Sequence, residues 1–123
     1  LIGAKAPLHV TAVGKIFLIE DGKDETFNYI NRNGLKVFTK NTIKDSRILF
    51  AELEKIKAQG YAFDNEEAEA GLSCIGAGIY DDSSLLVAGL SISTPSHRLN
   101  RNWGKHIKST ADKISAALGS ARA

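Results

Sequence analysis

The stretch LSCIGAGIY (residues 72–80), DDSS (81–84) and LLVAGLSIS (85–93) decides the fold. Both flanks are apolar runs of strand length, and the Asp-Asp-Ser-Ser between them is a turn signal. The pair reads as a β-hairpin with a four-residue loop, closed off by Pro95. With residues 81–84 as the loop, the numbers of opposed residues sum to about 165. Cys74 then faces Ser91, and Ser93 faces Leu72. Alternate residues of a strand share a face. Cys74, Ser91 and Ser93 therefore gather as a small polar cluster on one side of an otherwise apolar sheet.

Working outward, residues 61–64 (YAFD) form a further strand that ends in an acidic patch, Glu66, Glu67 and Glu69. The clearest helix precedes it, over about 46–59, opened by Asp45 or Ser46 and stopped by Gly60. Leu49, Leu53 and Ile56 make its apolar stripe, joined by Phe50. Near the start, Thr11 is an N-cap for a helix over about 12–19, broken at Asp21-Gly22. Asp24 caps a second helix, with Phe27 and Ile30 on one face and Gly34 at its end. Residues 1–8 read as an edge strand turning near Pro7, and a last helix covers about 100–118. Its stripe is Trp103, Ile107, Ala111, Ile114 and Leu118, with Gly104 weakening the first turn. These elements predict one α+β domain, an antiparallel β-sheet flanked by helices.

Composition excludes several function classes. Sixteen basic and 14 acidic residues leave a net charge of +2, too balanced to imply nucleic-acid binding by charge. The basic side of the last helix (Arg98, Arg101, Lys105, His106, Lys108) reads as a solvated face. The one cysteine, Cys74, rules out an internal disulfide and suits a reducing cytoplasm. No apolar run reaches the roughly 18 residues of a membrane helix, and nothing at the start resembles a signal peptide. The chain starts at Leu1 and lacks Met, which reads as a piece of a longer protein.

Catalytic templates also fail. His9, His97 and His106 share no metal-ligand spacing, so neither a metal nor another cofactor is expected. There is no P-loop, and the glycines at 71, 76 and 78 open no helix. LSIST holds no nucleophile elbow. A nucleophilic Cys74 paired with His9 or His97 stays open, since spacing alone supplies no geometry. Two features suit binding instead. Asp64, at a strand end, needs partners if buried; otherwise it is a solvated strand end. The helix start Thr11-Ala12-Val13-Gly14 offers unpaired N–H groups and a dipole that favours an anion, though a plain helix start looks the same.

PLHVTAVGK (7–15) resembles a segment of the IclR family of transcriptional regulators, in which Pro and His precede a small-residue helix start ending in Gly-Lys. Residues 60–93, GYAFDNEEAEAGLSCIGAGIYDDSSLLVAGLSIS, resemble that family's C-terminal signature. TKNTI (39–43) and ELEKIKAQG (52–60) fall in the family's order between them. The resemblance spans nearly the whole chain. It implies a GAF-like effector-binding domain over 1–123, partial at its N-terminal side, with the winged helix-turn-helix that contacts DNA absent. It further implies a small organic acid as effector (a keto, sugar or aromatic acid from carbon catabolism), held by the N–H groups of Ala12 and Val13 and by Asp64, Cys74, Ser91 and Ser93. Val13 stands where many relatives have a smaller residue and narrows such a pocket. A homodimer or homotetramer is implied, as is an exposed sheet edge or apolar face where the family's early strands are missing.

The expectation is thus an effector sensor rather than an enzyme. The alternative is an oligomerisation module with no ligand of its own.

Overall fold

The computed structural model describes residues 7–122. A 3-10 turn, Leu8–Val10, leads into helix α1 (Ala12–Asp21) and helix α2 (Lys23–Asn33). Helix α3 (Ser46–Gln59) and strand β1 (Ala62–Asn65) follow. Strands β2 (Leu72–Tyr80) and β3 (Leu86–Pro95) form the hairpin, a second 3-10 turn occupies Ser96–Arg98, and helix α4 (Trp103–Ala117) ends the order. The strands make one antiparallel sheet in the order β1-β2-β3. The α+β expectation holds. Of the strand expected over 1–8, residues 1–6 lie outside the described residues, and Leu8 is in the 3-10 turn rather than a strand.

Local chemistry accounts for most boundaries. The Thr11 hydroxyl accepts the Gly14 N–H at 3.0 Å and opens α1. Asp45 does the same for α3, accepting the Arg47 N–H at 2.8 Å. Gly60 closes α3 in the left-handed conformation, at φ 85°. At α2 the reading errs: the helix starts at Lys23, ahead of Asp24, with Gly22 at the cap. The Thr26 hydroxyl shares its one proton between the carbonyls of Gly22, at 2.9 Å, and Leu18, at 3.1 Å, and so ties α2 onto the end of α1. Phe27 stays 45% exposed, with its ring against that of Phe50.

The hairpin register is two residues away from expectation. Cys74 pairs with Ser93, Gly76 with Ser91 and Leu72 with Pro95. Two steps produce it: the loop takes in Leu85, so that Tyr80 pairs with Leu86, and an irregularity at Ile79/Tyr80 then adds one more residue, so that Ile79 pairs with Ala88. The Asp81 carboxylate accepts the N–H groups of Ser83 and Leu85 and moulds the loop. A shift of two keeps every side chain on its expected face.

Each sheet face carries its own core. On one, Ile75, Ala77 and Ile79 meet Ile107 and Ala111 of α4. On the other, Ala62 joins Ala12, Ile16 and Leu18 of α1 and Leu49, Leu53 and Ile56 of α3. The buried line of α4 is Gly104, Ile107, Ala111 and Ser115. Ile114 and Leu118, expected inside, are 37% and 47% exposed. Ser115 replaces them because its hydroxyl donates to the Ala111 carbonyl and accepts the Tyr80 N–H, joining α4 to the sheet. Gly104 takes the Tyr61 ring where a side chain would stand.

Candidate functional site

The sheet face beneath α1 brings the predicted residues together in two rungs. Asp64 pairs with Cys74, and Cys74 with Ser93. One rung along, Ala62 pairs with Gly76, and Gly76 with Ser91. The start of α1 rests on the second rung. A methyl group on Gly76 would stand 3.4 Å from the Val13 nitrogen and 3.2 Å from the Ala12 Cβ. One on Gly89 would collide with both Val13 methyl groups. Glycines at 76 and 89 therefore let a helix N-terminus approach the strands more closely than any side chain permits.

That N-terminus has donors to spare. Thr11 takes up the Gly14 N–H. The N–H groups of Ala12 and Val13, in the first turn, have no partner within the helix. Ala12 is buried and Val13 half-buried. Ser91 and Ser93 are exposed on the edge strand, Ser91 on the rung of Gly76 and Ser93 on the next, that of Cys74.

Asp64 is 3% exposed, which settles the choice between a buried carboxyl and a solvated strand end. Its Oδ1 accepts the Glu67 N–H at 2.8 Å. Burial raises its pKa above the usual carboxylate value, and the nearby Glu67 charge adds to this; the Glu67 N–H and the Lys15 ammonium oppose it. Cys74 is half-buried, with Sγ 3.1 Å from Ser93 Oγ. Burial raises its pKa too, and Asp64 pushes the same way. Such a thiol stays protonated at neutral pH, the opposite of a nucleophile's requirement.

The histidines do not serve Cys74. His9 is buried with both ring nitrogens engaged, Nδ1 2.8 Å from the Tyr29 hydroxyl and Nε2 2.8 Å from the Lys36 carbonyl. It anchors the segment before α1 to α2 and the loop beyond. His97 is exposed in the second 3-10 turn. Among the described residues, no three His, Cys, Asp or Glu side chains are grouped to hold a metal ion, and no helix is long and apolar enough to cross a membrane. A cavity of about 640 Å³ between the end of α3 and α4, lined by Gln59, Tyr61 and Lys105, includes none of the six predicted residues.

Sequence reading missed Lys15 and Glu67. Lys15 is fully buried, its ammonium 2.8 Å from the Phe63 carbonyl, 2.8 Å from Glu67 Oε1 and 3.1 Å from Glu52. A lone lysine within the apolar run AVGKIFLI (12–19), in a chain with a cluster of glutamates, was the available signal. Phe63 supplies the third acceptor through its backbone carbonyl.

The family model described as "Bacterial transcriptional regulator IclR C-terminal" matches residues 1–116. The HTH-type transcriptional repressor AllR of Salmonella typhi is 39% identical over 122 residues, 96% of this chain and 45% of that protein. The chain thus spans under half the length of the curated relatives it matches. Among solved structures, the Thermotoga maritima IclR superposes with a TM-score of 0.84 at 39% identity, covering 97% of this chain and 50% of that one. The PobR inducer binding domain from Acinetobacter, a double mutant in complex with 3-hydroxybenzoic acid, shares the fold at a TM-score of 0.84 and 23% identity, covering 94% of this chain and 69% of that one. The AllR and PobR relatives are a transcriptional repressor and a transcription factor. By the family match across most of its length, and by a fold that agrees, this chain belongs to the IclR family of bacterial transcriptional regulators, in its C-terminal region.

Proposed function

We propose that this chain is the effector-binding part of a cytoplasmic transcriptional regulator and that its effector is a small organic acid. The carboxylate lies against the N–H groups of Ala12 and Val13, where unpaired donors and the helix dipole favour an anion. A hydroxyl, carbonyl or bridging water of the acid meets Asp64. Cys74, Ser91 and Ser93 complete the polar floor. The observation that carries the reading is the meeting of these groups: a helix start pressed onto Gly76 and Gly89, directly beside the Asp64–Cys74–Ser93 rung. The PobR complex gives one example of a hydroxy acid bound by a domain of this fold.

The acid acts by preferring one arrangement of the subunits of a dimer or tetramer. The DNA contact belongs to a winged helix-turn-helix elsewhere in the regulator. Thermal-shift and calorimetric titration of the full-length regulator with keto, sugar and aromatic acids test this. At least one acid is expected to raise the melting temperature, and Asp64→Ala to abolish the shift. If no acid stabilises the regulator and Asp64→Ala leaves its response to inducer intact, the assignment fails.

One observation favours a second reading, in which the domain chiefly assembles subunits. Leu85, in the loop just before edge strand β3, is 63% exposed, and Val87, near the strand's start, 52%. Under that reading Ser91→Ala/Ser93→Ala leaves both the oligomeric state and the inducer response unchanged.

A further inference from the structure

The buried lysine has the connections of a strut. Lys15 follows Gly14 in α1, the helix whose first turn carries the Ala12 and Val13 N–H groups, which have no partner within the helix. An ammonium has three protons to give. Those of Lys15 go to the Phe63 carbonyl at 2.8 Å, to Glu67 Oε2 at 3.0 Å and to Glu52 Oε2 at 3.1 Å. Phe63 is the residue before Asp64. Glu67 binds the same turn from its other side: its Oε2 accepts the Asn65 N–H at 2.8 Å, and its own N–H donates to Asp64 Oδ1. The Thr42 hydroxyl holds the Glu67 carbonyl at 2.6 Å, so the turn cannot follow Glu67 freely. Glu67 Oε1 lies 2.8 Å from Lys15 Nζ as well, so both oxygens of the carboxylate face the ammonium.

We propose that Lys15, through Glu67 and the Phe63 carbonyl, is the positioning residue that sets where Asp64 stands relative to the α1 donors. The proposal rests on the organic-acid reading of the site. Lys15 touches no ligand. It fixes the span between the point that takes the carboxylate and the point that takes the second oxygen, and so selects acids bearing a polar group at that distance over plain carboxylates. A buried lysine joined to two glutamates is a costly way to fasten a helix, since apolar side chains of similar volume do that as well or better. Its merit is directional: one ammonium reaches both sides of the Asp64 turn.

The test uses the full-length regulator and two probes differing by one oxygen, lactate and propionate. Lys15→Met and Glu67→Gln are compared with wild type, with Lys15→Met/Glu67→Gln as the folded control if Lys15→Met proves unstable, since it leaves neither charge of the pair alone. Both single variants are expected to weaken lactate about tenfold, one charge-assisted hydrogen bond's worth, and propionate less than about twofold. Carbon-13 NMR of the Asp64 carboxyl supplies a readout free of ligand. The charged or titratable groups acting on it are Lys15, Glu67 and the Cys74 thiol. Its midpoint should rise in Lys15→Met, which loses a cation, and fall in Glu67→Gln, which loses an anion. General loosening of the fold does not produce opposite shifts. Equal weakening of both probes, or an Asp64 midpoint indifferent to folded variants, overturns the proposal. A wild-type regulator that binds lactate no better than propionate, with the opposite shifts intact, overturns instead the assignment of Asp64 to the acid's second oxygen.

Discussion

The two faces of the sheet are built to different ends. On the α4 face, Ile75 is fully buried and Ile79 nearly so, closed over by Ile107 and Ala111. On the α1 face, the same strands present Gly76, Cys74, Ser91 and Ser93, with both serines exposed. The α4 face spends its strand residues on packing. The α1 face keeps small and polar ones, and leaves its apolar packing to α1 and α3. A strand that alternates Ile75, Ala77 and Ile79 with Cys74, Gly76 and Gly78 serves both purposes at once.

The largest effect that separates the faces comes from the closed one. Ile107→Ala should cost about 2–5 kcal/mol in urea unfolding, as truncation in a close-packed core does, while the folded fraction keeps its affinity for any acid. Loss of affinity without loss of stability would break the contrast. Next is Gly89→Ala, whose methyl group meets the Val13 side chain. It should destabilise by about 1–3 kcal/mol, and Val13→Ala should recover much of that, with a coupling energy measurable in a double-mutant cycle.

The third comparison uses pH. Asp64 has a folded pKa raised above its unfolded value, chiefly by burial. The folded protein therefore holds this proton more tightly than the unfolded chain. The resulting stabilisation is complete below the unfolded pKa and disappears as pH rises through the folded one. Asp64→Asn should thus gain stability relative to wild type as pH rises from acid to neutral, read from melting temperatures across that range, even as it loses effector binding. A gain at acid pH instead would reverse the sign and place the charged form in the native state. Smallest in stability is Ser91→Ala/Ser93→Ala, within about 0.5 kcal/mol because both side chains are exposed, yet with lost response to acid. Cys74, with its raised thiol pKa, should also label slowly with iodoacetamide at neutral pH compared with a free thiol.

Much of this was readable in the residues. The face shared by Cys74, Ser91 and Ser93 follows from strand parity alone, which survives a shift of two. Their pairing did not follow, because the loop keeps Leu85, whose N–H binds the Asp81 carboxylate, and the irregularity at Ile79/Tyr80 adds a second residue to the shift. Helix α4 was misread for a related reason. Its apolar periodicity admits Ile114 and Leu118, but a serine hydroxyl with two backbone partners outcompeted them for the interior. Lys15 stood out only as a lone charge in an apolar run; its role was hidden because its three acceptors come from α3, from a strand carbonyl and from a turn, none of them adjacent in sequence.

The Asp64–Cys74–Ser93 rung has a consequence for the order of events in folding and in ligand capture. The hairpin half, β2 and β3, closes over a short loop and can form early. Asp64 arrives with β1, a strand of four residues at the sheet's other edge, and short edge strands open locally at little free-energy cost. An acid that bridges α1 and Asp64 would act as a latch on that strand. Amide exchange at Phe63 and Asp64 should then slow on binding far more than at Ile75 or Ile92, so that β1 serves as the domain's own reporter of occupancy.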